Sequence, residues 1–543
     1  MITDRINTNA WAKHSTQSLF RQTCRQMSER IALVEEGISL TYRELLNRTD
    51  RLTQALVDGG VGKGDVVSVL PTPTIDFTVV CFAVLQSGAT LNPLNLMWGS
   101  DELTVVLGRN EPKAVITVGD FKGRDYPSLV RQALDSGDSG SSPELLLVAD
   151  DEGSGRGDGF TALNDFIAAS SAPDVDRIEE IVAAFDPLEP QFICQTSGST
   201  GHSKSPVWNH RSPLSSANFV ASNLGLDESD RWLNVSPLFH NSGLCVSLIM
   251  GLAYVGLTVY MFEKFDPDTA VRCIRDEGIV GTFGFSAHWA AMGASAEFQK
   301  EGFGLKKVLI AGDSALYNTV ADLVDDNAVV ANLYAQTENG PLVAMTEIGC
   351  VDGSVRANTN GRPMPGVEAK VVDIDSGEPL PDGSAGEICY KSPYLFLGYL
   401  NSEGDTWREL DDDGFFRSGD FGLMTGGHLR YVERLGGIVK SGGENVSLAK
   451  VTAAMTALFA EEFDHVHAVA VRDPYWGDRI VALVNGGVGE WDSAGLRERC
   501  KAALAAYEVP RDFVEWSEEW PVSAEGKLDV KRMTRFVRDN LDV

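Results

Sequence analysis

Pro190-Gln191-Phe192-Ile193-Cys194-Gln195 reads as a strand, and it runs into Thr196-Ser197-Gly198-Ser199-Thr200-Gly201-His202-Ser203-Lys204. Small residues let backbone amides approach a phosphate closely, hydroxyls add donors, and Lys204 adds a positive charge. Taken alone, the same stretch also reads as a flexible Ser/Gly connection. It is not a Walker loop, which needs Gly immediately before the lysine, where Ser203 stands. A strand feeding a phosphate-friendly turn belongs to layered α/β architecture.

The residues before it support that class. Thr41 and Glu44 have the spacing of a capping box, and Tyr42, Leu45, Leu46, Leu52 and Leu56 follow at helical intervals up to Gly59-Gly60. Val66-Val67-Ser68-Val69-Leu70 and residues 114–118 read as buried strands, with a helical segment over 77–86 between them. Residues 135–160 read as a surface excursion except for apolar Leu145-Leu146-Leu147-Val148. From about 367, short runs (367–372, 386–390, 428–432) divided by Pro, Gly and Asp predict a small β-rich unit. After Gly436-Gly437, a helix at 448–459 and strands at 466–471 and 480–484 predict a small α+β domain.

Further along come Tyr334-Ala335-Gln336-Thr337-Glu338, Arg417-Ser418-Gly419-Asp420, Arg434, Ser441-Gly442-Gly443-Glu444-Asn445 and Gly526-Lys527. In order and content these motifs resemble the ANL superfamily of adenylate-forming enzymes: acyl-CoA synthetases, adenylation domains and beetle-type luciferases. The resemblance runs from roughly residue 40 to 537. It implies an α/β fold with a large N-terminal domain of stacked layers plus a small β-barrel-like unit (1–436), and a mobile small C-terminal α+β domain (437–543). It also implies an activity: ATP-dependent conversion of a carboxylic acid to acyl-AMP with release of pyrophosphate, then transfer to coenzyme A. The alternative is a dedicated adenylating enzyme that passes its acyl-AMP to a carrier protein or a separate CoA transferase.

The roles implied by the resemblance are those the chemistry needs, since two anions must be held together while oxygen attacks phosphorus. Thr196, Ser197, Gly198, Ser199, Thr200, Gly201 and Lys204 resemble the loop around the β- and γ-phosphates, with Thr200 counted as catalytic. Glu338 resembles the ligand of Mg2+, a hard cation commonly shared with substrate phosphates. Tyr334 resembles the aromatic stacked on adenine, with Ala335, Gln336, Thr337, Gly312 and Asp313 beside the nucleotide. Asp420 resembles the acceptor for the ribose hydroxyls and Arg434 a nucleotide-contacting arginine. Lys527 resembles the catalytic lysine that bridges carboxylate and α-phosphate, where a cation offsets developing charge. His240, in Pro237-Leu238-Phe239-His240, resembles an aromatic gate of the acyl pocket, with Phe285, Ser286 and Gly312 at its border. Gly442 and Gly443 resemble the loop of the pantetheine tunnel.

Departures from the family pattern are concentrated in a few places. Ser203 stands where Pro is common, and Ser205-Pro206 replaces the Gly that usually follows the lysine. Asp313 interrupts a Gly-Gly-Ala stretch. Gly437 falls where an Asp or Lys usually pivots the small domain, and Lys440 sits where the luciferase branch has a lysine for the second half-reaction.

Bulk properties narrow the partners. A chain of 543 residues can bury several cores, and its 43% hydrophobic and 23% charged residues are ordinary for a soluble enzyme. A net charge of −31 argues against binding nucleic acid, whose phosphates must be neutralised by Lys and Arg. It argues equally against anionic membranes, and no apolar run is long enough for stable membrane insertion. Eight cysteines scattered without a C-x-x-C pair suit reduced thiols, and with no secretory signal read at the N-terminus the expectation is a cytoplasmic protein. Small residues around the pocket predict a bulky apolar acid: aryl, fatty or polycyclic terpenoid.

Overall fold

The computed structural model describes residues 12–136, 140–149, 159–196, 203–347, 352–401, 405–441, 444–473, 477–487, 491–501, 503–504, 507–521 and 528–541, excluding the side chains of residues 440, 444, 445 and 477. The chain divides into two compact units. One comprises Met1–Lys370, Cys389–Arg417 and Met424–Arg430; the other comprises Val371–Ile388, Ser418–Leu423 and Tyr431–Val543.

Two nine-stranded sheets build the first unit. In one, Val66–Leu70 lies between Thr90–Pro93 and Ala114–Val118, with Leu145–Ala149 beyond, all parallel. Helices cross between these strands, so both faces are covered and the strands read as continuous apolar runs. Ala114–Val118 is buried throughout. The same sheet continues past Thr90–Pro93 to Phe192–Ile193, Pro206–Trp208 and Gly398–Leu400. The second sheet runs from Arg362–Pro363 through Leu342–Met345, Val329–Ala335, Lys307–Ile310, Gly281–Phe283, Arg231–Asn234 and Thr258–Met261 to Ile31–Glu35 and Ile38–Thr41.

Local sequence logic accounts for the elements. The helix Tyr42–Asp58 starts on a complete capping box, in which the Thr41 hydroxyl accepts from the Glu44 amide while the Glu44 carboxylate accepts from the Thr41 amide. Gly60, at φ +82°, lets the chain leave that helix. The predicted helix at 77–86 begins two residues earlier, at Ile75, because Thr74 caps it. Leu145–Ala149, the apolar island in the predicted excursion, is a strand of the main sheet.

The later β-rich segment forms a four-stranded sheet: Glu368–Val372, Ala385–Lys391, Phe416–Thr425 and His428–Arg434. In the second unit, strands Ile438–Ser441, Glu444–Ser447, His465–Asp473, Gly477–Asn485 and Asp512–Glu515 form a five-stranded sheet. Side chains alternate across it. Ile480, Ala482 and Val484 face the core with Val451 and Met455, whereas Val481 and Leu483 face the core with Met533 and Val537. No helix among the described residues is long and apolar enough to cross a membrane.

Candidate active site

The strand Phe192–Ile193 pairs antiparallel with Pro206–Trp208. Just beyond, Thr196 and Lys204 form an isolated antiparallel bridge: the Thr196 amide donates to the Lys204 carbonyl (3.0 Å), and the Lys204 amide donates to the Thr196 carbonyl (3.1 Å). Both ends of the predicted phosphate segment are therefore fixed to each other. Ser197, Gly198, Ser199, Thr200 and Gly201 lie outside the described residues.

Glu338 sits in a one-turn 3-10 helix, Thr337–Asn339, immediately after the strand Val329–Ala335. It is buried (7% exposed), and its carboxylate accepts a 2.6 Å hydrogen bond from the Tyr399 hydroxyl. The Lys204 ammonium stands 4.7 Å from the centroid of the same Tyr399 ring, a cation–π distance. Tyr399 thus contacts both the lysine and the acid that the sequence nominated. The turn around Glu338 is held from several sides. The Trp208 indole donates to the Thr337 carbonyl (2.7 Å), the Phe396 amide donates to the Glu338 carbonyl (2.9 Å), and the Tyr390 hydroxyl donates to the Gln336 side chain.

Among the described residues no three His, Cys, Asp or Glu side chains cluster as a metal cage. A lone carboxylate near a fixed lysine fits the way Mg2+ is usually held, by one or two protein oxygens plus substrate phosphates.

The segment that presents Glu338 also borders a cavity of about 220 Å³. Its lining includes Val220, Val246, Met250, Phe283, Phe285 and Leu333 together with His240, Asn241, Ala335, Gln336 and Thr337. Much of one wall comes from Ser242–Val255, a 14-residue π-helix; such wide helices are rare and often sit at functional sites. His240 packs edge-on against Phe285 (centroids 5.2 Å, interplanar 86°), and its Nδ1 lies 2.7 Å from the Ser242 hydroxyl. None of the described residues that line the cavity is Asp, Glu, Lys or Arg.

Of the predicted pocket residues, His240 and Phe285 line the cavity, whereas Ser286 and Gly312 do not; Ala311 does. Ser286 opens the helix Ser286–Gly293, and the Gly312 amide donates to Asn332 Oδ1 (3.1 Å). Asp313 is the N-cap of Ser314–Leu323, its carboxylate accepting from the Leu316 amide at 3.0 Å. The departure at Asp313 is therefore explained by helix initiation. Tyr334 is 4% exposed in its strand, and Ala335 is exposed.

In the second unit, buried Asp420 forms an ion pair with the Arg434 guanidinium (Nε to Oδ1 3.0 Å), and Arg434 Nη1 donates to the Ser418 carbonyl (3.1 Å). Gly419, at φ +69°, makes the turn, its amide donating to Glu387 (3.0 Å). Burial, and then the nearby Asp420 carboxylate, push the Tyr431 phenol up to about 12. Gly437 lies outside the left-handed region, so its constraint is space: a Cβ there would stand 2.2 Å from the Glu433 carboxylate. Burial raises the Glu433 pKa above the usual carboxylate range. Lys440 contributes its backbone to Ile438–Ser441, and its side chain, like Gly442, Gly443 and Lys527, lies outside the described residues.

Sequence reasoning missed Tyr399, which is separated from Glu338 by 61 positions; only an aromatic after Gly398 in an apolar run marks it.

The family described as AMP-binding enzyme matches residues 20–400. Putative acyl-CoA synthetase YngI of Bacillus subtilis (strain 168) is 25% identical, the match covering 95% of this chain and 96% of the relative. A methyl-dioxo-octahydroindenyl-propanoyl:CoA ligase of Rhodococcus jostii (strain RHA1) is 26% identical, covering 95% and 97%. The crystal structure of ATP-bound MatB from Rhodopseudomonas palustris superposes with a TM-score of 0.80 at 22% identity, covering 97% of this chain and 99% of that one.

Proposed function

We propose that this chain, which belongs to the AMP-binding enzyme family, activates an apolar monocarboxylic acid with ATP as its acyl-AMP and transfers the acyl group to coenzyme A. The observation that carries the reading is one short segment with two faces: Gln336 and Thr337 border an apolar cavity, and Glu338 meets Tyr399 beside Lys204.

In the first step a carboxylate oxygen of the acid forms a bond to the α-phosphorus of ATP, and the bond to the β-phosphate oxygen breaks, releasing pyrophosphate. The site must hold two anions at reacting distance, which is chiefly a matter of positioning and electrostatics. Lys204 and the residues of its segment bind the leaving phosphates. Glu338 holds Mg2+, which when bound neutralises phosphate charge. Tyr399 keeps lysine and acid in one place. The acid's tail occupies the cavity, with His240 on Phe285 in its lining. Asp420 accepts the ribose hydroxyls beside Arg434, and Lys527 attends the reacting carboxylate. In the second step the coenzyme A sulfur, its proton released to solvent, bonds to the acyl carbon as the bond from that carbon to the AMP oxygen breaks and AMP leaves.

The uncharged walls favour a tail without a second carboxylate or an ammonium group, because a buried unpaired charge is costly. A volume of about 220 Å³ falls below the ~300–1,000 Å³ of drug-sized sites, which favours a single-ring aryl or shorter fatty acid over a polycyclic one. Residues 1–436 act as the adenylation body and 437–543 as the mobile domain that brings Lys527. The setting is cytoplasmic, where cysteine thiols stay reduced.

The test is to supply ATP, Mg2+, coenzyme A and a panel of acids, and to follow pyrophosphate, acyl-AMP and acyl-CoA separately. The expected result is acyl-CoA from apolar monocarboxylic acids. Accumulation of acyl-AMP alone would restrict the enzyme to adenylation for a separate acceptor; absence of pyrophosphate release with every acid would overturn the proposal.

A further inference from the structure

Arg109 lies in the last turn of the helix Ser100–Asn110, far in sequence from every motif of the site, yet its guanidinium reaches the residues on both sides of Lys204. One nitrogen, Nη1, donates to the Ser203 carbonyl (2.6 Å) and to the Ser205 hydroxyl (3.1 Å). The Ser205 hydroxyl in turn donates to Gln195 Oε1 (3.0 Å), and Gln195 Nε2 donates to Asn92 Oδ1 (3.0 Å). Asn92 Nδ2 finally donates to the Ser68 hydroxyl (2.8 Å). The relay therefore ends on two parallel core strands, Thr90–Pro93 and Val66–Leu70. Ser68, Asn92 and Ser205 are each fully buried. Buried polar groups are expected to be paired, and losing one partner leaves the other unsatisfied, so the chain behaves as a unit.

We propose that Arg109 is a positioning residue for Lys204, acting through its two neighbours in sequence, Ser203 and Ser205. Two neighbours of Lys204 are tied to Arg109, and Ser205 is tied to Gln195, the residue before Thr196. The Lys204 backbone is bridged to Thr196, and its ammonium rests over Tyr399. The lysine is thereby held from its flanks, its backbone and its side chain. The described hydrogen-bond partners of Arg109 are neutral oxygens. Its charge is therefore not cancelled by them, and it adds to that of Lys204 in favouring an anion. This inference rests on the proposed role of Lys204 with ATP.

The experiment is ATP–pyrophosphate exchange and calorimetric ATP binding by the full-length enzyme and its Arg109→Gln, Arg109→Lys and Ser205→Gly variants. A hydrogen bond from a charged donor is worth enough that Arg109→Gln should lower kcat/KM for ATP by about 10- to 100-fold, with KM for the acid and the melting temperature unchanged. Lys reaches one of the two acceptors but not both, so Arg109→Lys recovers part of the loss. Ser205→Gly removes a neutral bond and should lower kcat/KM for ATP roughly 3- to 10-fold. Unchanged ATP kinetics in both Arg109→Gln and Ser205→Gly overturns the proposal. So does an equal loss toward ATP and acid with a lower melting temperature, which marks a scaffold role. If Arg109→Gln does not fold, Ser205→Gly decides alone. If the unmodified enzyme exchanges with no acid, the adenylation reading fails, and weaker ATP binding by Ser205→Gly would still support the positioning role.

Discussion

The polar cluster around Tyr399 and the apolar cavity beside it share one stretch of backbone, yet they are built on opposite principles. In the cluster each contact is directional and spans a large gap in sequence: Tyr399 to Glu338 over 61 positions, Trp208 to Thr337 over 129. A single atom in the wrong place breaks such a contact. In the cavity the walls are apolar side chains whose contribution is volume, and volume can be redistributed among neighbours at modest cost. The difference teaches that reaction and selectivity can be altered separately here, although residues 335–338 serve both.

The largest effect should come from the polar side. Glu338→Gln keeps an acceptor for the Tyr399 hydroxyl but removes the negative charge. Pyrophosphate exchange should fall on the order of 10²–10³-fold, with the order of preference among acids and the melting temperature unchanged. If the exchange rate survives, the cluster is a structural joint and the comparison fails on its chemical half. The apolar side gives a smaller, selective effect. Val246 is partly exposed and lines the cavity, so Val246→Phe fills space rather than displacing core. A misfit of this kind should lower kcat/KM for the bulkiest accepted acid by roughly 10–200-fold, while smaller acids and ATP are handled as before. A uniform loss across all acids would show that the cavity wall also positions the reaction.

How much of this was legible in the sequence follows the same division. Local signals were readable: the Thr41–Glu44 box, the strands Val66–Leu70 and Ala114–Val118, and the helix opening that the structure moves to Ile75. Of the residues nominated for an acyl pocket, some line the cavity and their neighbours do not. Phe285 lines it and Ser286 does not; Ala311 lines it and Gly312 does not. At a strand end a shift of one residue changes the face presented, and spacing alone does not fix that register. Asp313, which the resemblance sets beside the nucleotide, is also locally legible as the cap of an apolar helix. Gly437, which the resemblance puts at the pivot of the small domain, sits where a Cβ would meet the Glu433 carboxylate, a contact that spacing does not reveal. Tyr399 and Arg109 were illegible for a different reason. Their partners are brought to them only by sheet assembly, and sequence carries no mark of a contact across 61 or 94 positions.

The smallest predicted effect concerns a residue beneath both regions, and it should couple what the first two variants separate. His210 is fully buried just before the helix Arg211–Leu224, which supplies Ser216, Ala217 and Val220 to the cavity. Its Nδ1 accepts from the Thr16 amide (3.0 Å), which leaves Nε2–H to donate to Gln191 Oε1 (3.0 Å), on the approach to Thr196. A proton on Nδ1 would face the Thr16 N–H, and burial pushes the imidazole down to about 3. The unfolded chain's histidine takes up its proton near pH 6.5. Because the folded pKa is the lower one, stability is fully present above about pH 6.5. It is lost as pH falls toward 3, by at most about 1.4 kcal/mol per pH unit from this residue. His210→Asn keeps an acceptor near Thr16 without a titrating ring, so its melting temperature should fall less than that of the unmodified enzyme between pH 7 and pH 5. Acid should weaken ATP exchange and acid selectivity together in the unmodified enzyme. Equal acid sensitivity of the two proteins would mean that His210 is not what joins the two regions, and that carboxylates elsewhere set the acid limit.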